Sequence, residues 1–352
     1  MTIKYLDSKR IEGVAGDLTS INLTSGTGGW KEVGRTTLGS AGDDIEVTGL
    51  PDKPYYMFLI KMLTGGTRTS CKMTFNGEVS GTNYYSRYSD NGGTDGTYQG
   101  NGFTVRNNSY GYDDSIAIGY IASKSGQQKA MISNYGGEAY YGGSNVAPRM
   151  METIGKWSNT SDAITSIKVS NGESGDYQSG SELVILGYDP ADTHTTNFWE
   201  ELANVNGSGS NTLSSGTITA KKYLWLQFYL DPSASYTPKV NFNGDGGSNY
   251  NNRYNMNGGG TASDGTESGY YSGFGGQVPQ FSNMFIINGT ADTKVALNSM
   301  VYQGTAGAGT QPERVNSAGV WYNTSAQITS VDITGGSATL STSSLLKVWG
   351  HD

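Results

Sequence analysis

The chain has 352 residues, 52 of them glycine, with a formal net charge of −8 and a single cysteine. The negative balance sets the molecule against a phosphate backbone and so argues against nucleic acid as a partner; the lone Cys71 excludes an intrachain disulfide framework, and no Cys/His cluster has zinc-ligand spacing. The glycine-rich, polar composition would suit a disordered chain, but 24 Tyr, 9 Phe and 6 Trp supply large rings to bury, as many short strands with long loops require.

The first 13 residues, MTIKYLDSKRIEG, carry charges from Lys4 to Glu12 and no apolar h-region, so no Sec signal peptide is expected. Residues 24–29, TSGTGG, read as a flexible tether. Residues 1–29 are therefore predicted to be an arm that clamps a neighbouring subunit by adding a strand to its sheet. The longest apolar run, residues 55–63, is broken by Lys61 and is too short to span a bilayer. Being apolar on both faces, it predicts a central strand covered on each side.

Phe75 opens an FNG turn, Tyr84, Tyr85 and Tyr88 follow, and Asn91-Gly92-Gly93 supplies positive φ for a tight reversal. Tyr140 and Tyr141 form a second tyrosine cluster. Residues 157–169, WSNTSDAITSIKV, alternate with period 2, placing Thr165, Ile167 and Val169 on one face and Ile164, Ser166 and Lys168 on the other. The segment LVILGYD closes this half at Gly187, with Leu183 and Ile185 opposite Val184. Residues 196–204, TNFWEELAN, predict one or two helical turns with Thr195 or Thr196 as N-cap.

From there the same order of elements is written again. WYNTSAQITSVDI, residues 321–333, matches residues 157–169 at seven of 13 positions. LKVWGHD matches LVILGYD with Gly350 for Gly187; FNGDGGSNYNNRY, from Phe242, matches the segment from Phe75; KKYLWLQFYL matches KPYYMFLIKM; Trp199 stands opposite Trp30. Lys168 becomes Asp332, a reversal that water tolerates and a core does not. Thr165, Ile167 and Val169 are accordingly predicted to face inward, as are Thr329, Val331 and Ile333. The expected fold is all-β: two tandem antiparallel β-sandwiches, jelly-roll-like and related by internal duplication, at residues 30–190 and 195–352.

Chemistry is sparse in the sequence. His194 and His351 stand alone, with no nucleophile motif beside them, and Cys71 reads as a small buried residue; no catalytic residue and no cofactor is expected. Asn243, Asp245 and Asp264 gather oxygen ligands of the kind calcium accepts, although Asx turns explain the same residues and no EF-hand pattern is present. Tyr84, Tyr85, Tyr88, Tyr140 and Tyr141 could stack on a glycan or contact a partner, with packing as the competing reading. Sequons stand at Asn22, Asn107, Asn159, Asn206, Asn288 and Asn323; Asn159 and Asn323, each two residues after a tryptophan, also suit a turn into the strand.

The segment RTTLGSAGDDIEVTGLPDKPYYMFL (residues 35–59), the FNG strand-loop at Phe75 and Phe242, and the W-x-N-T-S-x-x-I-T-S strand followed by a terminal glycine resemble a family of glycine-rich modules of predicted tailed-virus virion proteins from marine metagenomes. KYLDSKRI at the start looks like the opening of similar proteins from viruses of marine archaea. The resemblance implies a β-sandwich building block of a virus surface, as capsid decoration or as a head or tail fibre, with Trp157, Trp321, Phe75, Phe242, Gly187 and Gly350 as fold determinants. It implies self-association and contact with other virion proteins such as the major capsid protein. Its setting would be the virion surface, after synthesis in a host cytoplasm, without membrane insertion. Two alternatives stand beside it: a carbohydrate- or receptor-binding module of a virion fibre that takes host-surface glycans, and a cellular surface-layer or filament subunit.

Overall fold

A computed structural model describes residues 29–79, 81–106, 114–138, 146–192, 197–271, 279–302 and 311–352, with the Asp264 side chain excepted. The arm up to residue 28, the tyrosines at 140 and 141 and the histidine at 194 lie outside these residues. All regular structure among them is strand.

The first half runs β1 (Lys31–Thr37), β2 (Asp44–Thr48), β3 (Tyr55–Met62), β4 (Cys71–Phe75), β5 (Tyr84–Asp90) and β6 (Gly96–Gly100). It continues with β7 (Phe103–Arg106), β8 (Ser115–Ala122), β9 (Lys129–Gly137), β10 (Arg149–Trp157), β11 (Ser166–Ser170) and β12 (Glu182–Tyr188). The second half runs β13 (Glu200–Asn206), β14 (Thr212–Ser214), β15 (Tyr223–Leu230), β16 (Lys239–Phe242), β17 (Tyr250–Met256) and β18 (Thr261–Glu267). Its remaining strands are β19 (Tyr270–Tyr271), β20 (Gln280–Ile287), β21 (Lys294–Tyr302), β22 (Glu313–Trp321), β23 (Val331–Thr334) and β24 (Leu345–His351).

These form four antiparallel sheets. Eight strands in the order β1-β12-β3-β8-β9-β10-β5-β6 face four in the order β2-β11-β4-β7; the second half has β13-β24-β15-β20-β21-β22-β17-β18 and β14-β23-β16-β19. Every strand of the second half holds the place of the strand twelve before it. Within the first half the small and large sheets share one core, in which Ile45, Val47, Met73, Phe75, Ile167 and Val169 of the small sheet meet Tyr56, Phe58, Ile60, Leu183 and Ile185 of the large one. A second core of the same construction fills the other half.

A third core lies between the two large sheets. Met57, Leu59, Ile118, Val184 and Leu186 of the first half pack against Trp199, Tyr223, Phe285, Leu297 and Val320 of the second. This layer explains why β3 is apolar throughout: its even-numbered residues enter the inner core and Met57 and Leu59 enter the seam. It also corrects the solvent-facing reading of Val184 that its replacement by Lys347 suggests. Val184 is buried in the seam, whereas Lys347 lies at the rim and reaches Glu201 at 3.0 Å.

Two other expectations change. Residues 200–206 are strand β13 rather than helix, because its backbone pairs with β24 while Trp199 packs into the seam. Thr165 and Thr329 are exposed, while Ile164 and Ile328 are buried. Regular pairing begins only at Ser166 and Val331. Ahead of it, Asn76 Oδ1 accepts the Thr165 and Ser166 amides and Asn243 Oδ1 accepts those of Thr329 and Ser330, so the alternation slips by one residue. Ile167, Val169, Val331 and Ile333 face inward as expected, and Lys168 lies at the surface beside Asp44.

Candidate functional site between the two large sheets

The repeated tryptophans hold a latch that occurs in both halves. Trp157 Nε1 donates to Glu78 Oε2 at 2.7 Å, and Trp321 Nε1 donates to Asp245 Oδ2 at 2.8 Å. Each indole stacks on a buried tyrosine, Tyr84 at 6.1 Å and 11° or Tyr250 at 6.1 Å and 14°, and meets Phe75 or Phe242. The tyrosine hydroxyls accept the amides of those same phenylalanines, at 2.8 and 2.9 Å. Opposite each tryptophan a buried lysine donates to the carbonyl of the W-x-N asparagine: Lys129 to Asn159 at 3.2 Å and Lys294 to Asn323 at 2.7 Å.

Asn243 and Asp245 are therefore fastening groups. Asn243, at φ 54°, ties the FNG turn to residues 327–330, and Asp245 accepts from Trp321, Asn249 and the Gly247 amide. Burial pushes the Asp245 carboxyl up, but these donors outweigh it and hold it below its ordinary value. Among the described residues no group of three or more His, Cys, Asp or Glu side chains could hold a metal.

The tyrosines separate by burial. Tyr84 is wholly enclosed, which corrects its reading as a glycan contact, and Tyr88 packs against the first core. Tyr85 is half-exposed, accepts Gln99 Nε2 at 2.8 Å and lies 5.1 Å from Lys156 Nζ. Cys71 is buried, and burial pushes its thiol up to about 12. The sequon asparagine Asn288 is also buried, with its amide bonded to Lys221, Ile328 and the Ile328 nitrogen. Asn159 Oδ1 accepts the Ser161 and Asp162 amides, and Asn323 Oδ1 those of Ser325 and Ala326, in Asx turns, as the W-x-N-T-S pattern predicts.

Gly187 and Gly350 sit where another backbone or side chain must come close. A Cβ on Gly350 would lie 2.7 Å from Leu202 and 2.8 Å from Lys221, and one on Gly187 would lie 3.0 Å from Val33 and Lys53. Gly350→Ala is expected to destabilise by about 1–3 kcal/mol through overpacking, and Gly187→Ala by less, read from thermal unfolding.

The seam carries the charged groups that the sequence does not flag. Glu182, buried at the start of β12, accepts from Tyr223 at 2.6 Å, lies 3.2 Å from both Arg35 and Lys222, and is bonded by the Thr37 hydroxyl. Burial alone would raise its carboxyl, but the hydroxyls and cations together hold it below the ordinary carboxylate range. Lys61 pairs with Asp292 across the seam at 2.5 Å. Nearby, burial raises Asp114 and Glu138.

Beyond this closed side the two sheets part. A cavity of 180 Å³ lies between them, lined by Tyr120, Asn134, Glu152, Asn283, Phe285 and Asn316 among others. Asn316 Nδ2 donates to Glu152 Oε1 across it. A more open recess of 420 Å³ adjoins Glu152 and is lined by Arg87, Asp95, Ile132, Ile154 and Arg314. Tyr120, Ile132 and Ile154 form an exposed apolar row across three neighbouring strands of the first large sheet, flanked by these polar groups. Such a surface can take a flat partner with apolar faces and polar edges.

No family model matches the chain, and no curated protein matches it. Among solved structures it has a likeness to Neisserial surface protein A (7% identity, TM-score 0.16, covering 81% of this chain and 99% of that one). Others are a tesB protein of Mycobacterium avium subs paratuberculosis (6%, 0.13, 70% and 81%) and the outer membrane protein OprG of Pseudomonas aeruginosa (8%, 0.07, 90% and 100%). At these TM-scores the likeness carries no argument.

Proposed function

We propose that the chain is a non-enzymatic, self-assembling structural protein of a virion surface, built from a duplicated β-sandwich of jelly-roll topology. The observation that carries this reading is the strand order. With β5-β6 and β9-β10 taken as hairpin additions, β1-β12-β3-β8 facing β2-β11-β4-β7 is the arrangement of an eight-stranded double Greek key, and the second half repeats it. That architecture serves viral capsids and lectins, which is why fold alone does not fix the role. The groups repeated between the halves are indole, phenol, acid and lysine fasteners within the cores, which favours a scaffold over a catalyst.

Mass spectrometry and cryo-electron microscopy of purified particles test the reading. Stoichiometric amounts of the chain on the particle exterior are expected; recovery from cell envelopes or filaments without particles would overturn it in favour of a cellular surface layer. The recess beside Tyr120 and Arg87 favours a second reading, a glycan-binding fibre module, because it sets an aromatic and two aliphatic faces among Arg and Glu groups. Binding on a glycan array, abolished by Arg87→Ala, is its expected signature.

A further inference from the structure

The two large sheets meet through unlike patches. Register fixes the correspondence between halves, since Trp157 opposes Lys129 as Trp321 opposes Lys294; Ile132 then corresponds to Leu297, Gly136 to Val301 and Ile154 to Ala318. In the next strands Tyr120 corresponds to Phe285, Ile116 to Phe281 and Lys61 to Tyr229.

Within the chain, Gly136 of the first half is pressed against Leu297 and Ala318 of the second: a Cβ there would lie 2.7 and 3.2 Å from them. Ile116, Lys61 and Phe285 are buried on the same side. A two-fold interface would make the reciprocal contact as well, with Val301 on Ile132 and Ile154. Those residues are instead exposed. Tyr120, Ile132 and Ile154 are 41 to 58% exposed, and Tyr229, Phe281 and Val301 are 38 to 44% exposed and contiguous across β15, β20 and β21. The contact is heterologous, so each chain keeps one unused patch of each kind.

We propose that a second copy of this chain covers these patches: the Tyr229-Phe281-Val301 row of one molecule packs on the Tyr120-Ile132-Ile154 row of the next. The intermolecular contact repeats the contact that joins the halves, and the chains associate head to tail. Such a contact continues until rotation closes it into a ring, or extends as a filament. The apolar character of both rows in a surface otherwise rich in Gly, Ser, Thr and Asn follows from this use. The inference deepens the self-assembling part of the proposed function and does not depend on the virion. A monomeric chain found on particles would sink the inference and the self-assembling part of that reading, and leave the virion-surface role standing.

The test uses the full chain and two surface variants, Ile132→Glu/Ile154→Glu and Phe281→Glu/Val301→Glu, with sedimentation velocity across a hundredfold concentration range. Wild type is expected to form a concentration-dependent series or a closed ring, and each variant alone to be monomeric with unchanged circular dichroism. Mixed in equal amounts, the variants should give a single 1:1 dimer, because each retains the row the other lacks. A monomeric wild type, a variant that assembles as wild type does, or a mixture that stays monomeric would overturn the proposal. If the arm alone drives assembly, deleting residues 1–28 abolishes the series while both row variants still assemble, which also counts against it.

Discussion

Trp321→Ala is expected to destabilise the protein by about 3–5 kcal/mol, the range for removing a large buried aromatic from a core that cannot collapse around the loss. The indole is buried against Phe242 and Tyr250 and its nitrogen is fixed by Asp245, so its deletion leaves a cavity and removes one of the three donors to that carboxylate. Trp157→Ala should act alike through Phe75, Tyr84 and Glu78. Glu78→Ala isolates the polar part, leaving the buried Trp157 N–H without its acceptor at a cost of about 1–3 kcal/mol. Calorimetry of the three variants checks this ranking; a Trp321→Ala protein that melts with wild type would remove the tryptophan latch from the account of stability.

Glu182→Ala is expected to cost about 2–3 kcal/mol. Breaking a buried ion pair from one side leaves uncompensated charge at a typical cost of ~3–5 kcal/mol, and Arg35 and Lys222 keep partial contact with water that reduces it. A pH signature accompanies the loss. The carboxyl is depressed in the folded state from an ordinary value of 4.5, so its contribution is full above that pH and disappears as pH falls through the folded value. Wild type minus Glu182→Gln stability, measured by urea unfolding from pH 7 to pH 3, should shrink below about pH 4.5. A difference that stays constant over this range would remove Glu182 as a charged fastener of the seam. Because Lys222 and Tyr223 come from the other half, loosening is expected first between the large sheets.

Much of the fold is legible in the residues. The repeated W-x-N-T-S strand, the FNG turn and the closing glycine mark equivalent places in the two halves because packing around an indole tolerates few substitutes. Asn76 and Asn243 adopt positive φ at those turns, which the Asn-Gly pairs announce. Less legible were the partners. Glu78 against Asp245 reads as a difference between the halves, yet each acid accepts from the indole nitrogen of its own half, Trp157 or Trp321, through side chains of different length. What repeats is an acid three residues after Phe75 and after Phe242, not one residue type. Tyr84 looks like part of an exposed tyrosine cluster, and only the sheet register turns it inward while Tyr85 faces out.

The sequence by itself determined the alternation and inner face of the paired strands, such as Ile167 and Val169 or Val331 and Ile333, since period-2 patterning and side-chain volume act locally along the chain; ahead of the pairing, at Thr165 and Thr329, the turn asparagines shifted it by one residue. It could not say that the outer faces of the two large sheets would meet. Val184 and Lys347, or Gly136 and Val301, occupy equivalent positions with opposite surroundings. That difference belongs to the tertiary structure: an unlike-patch contact gives equivalent strands two environments, burying one apolar row inside the molecule and leaving its equivalent at the surface.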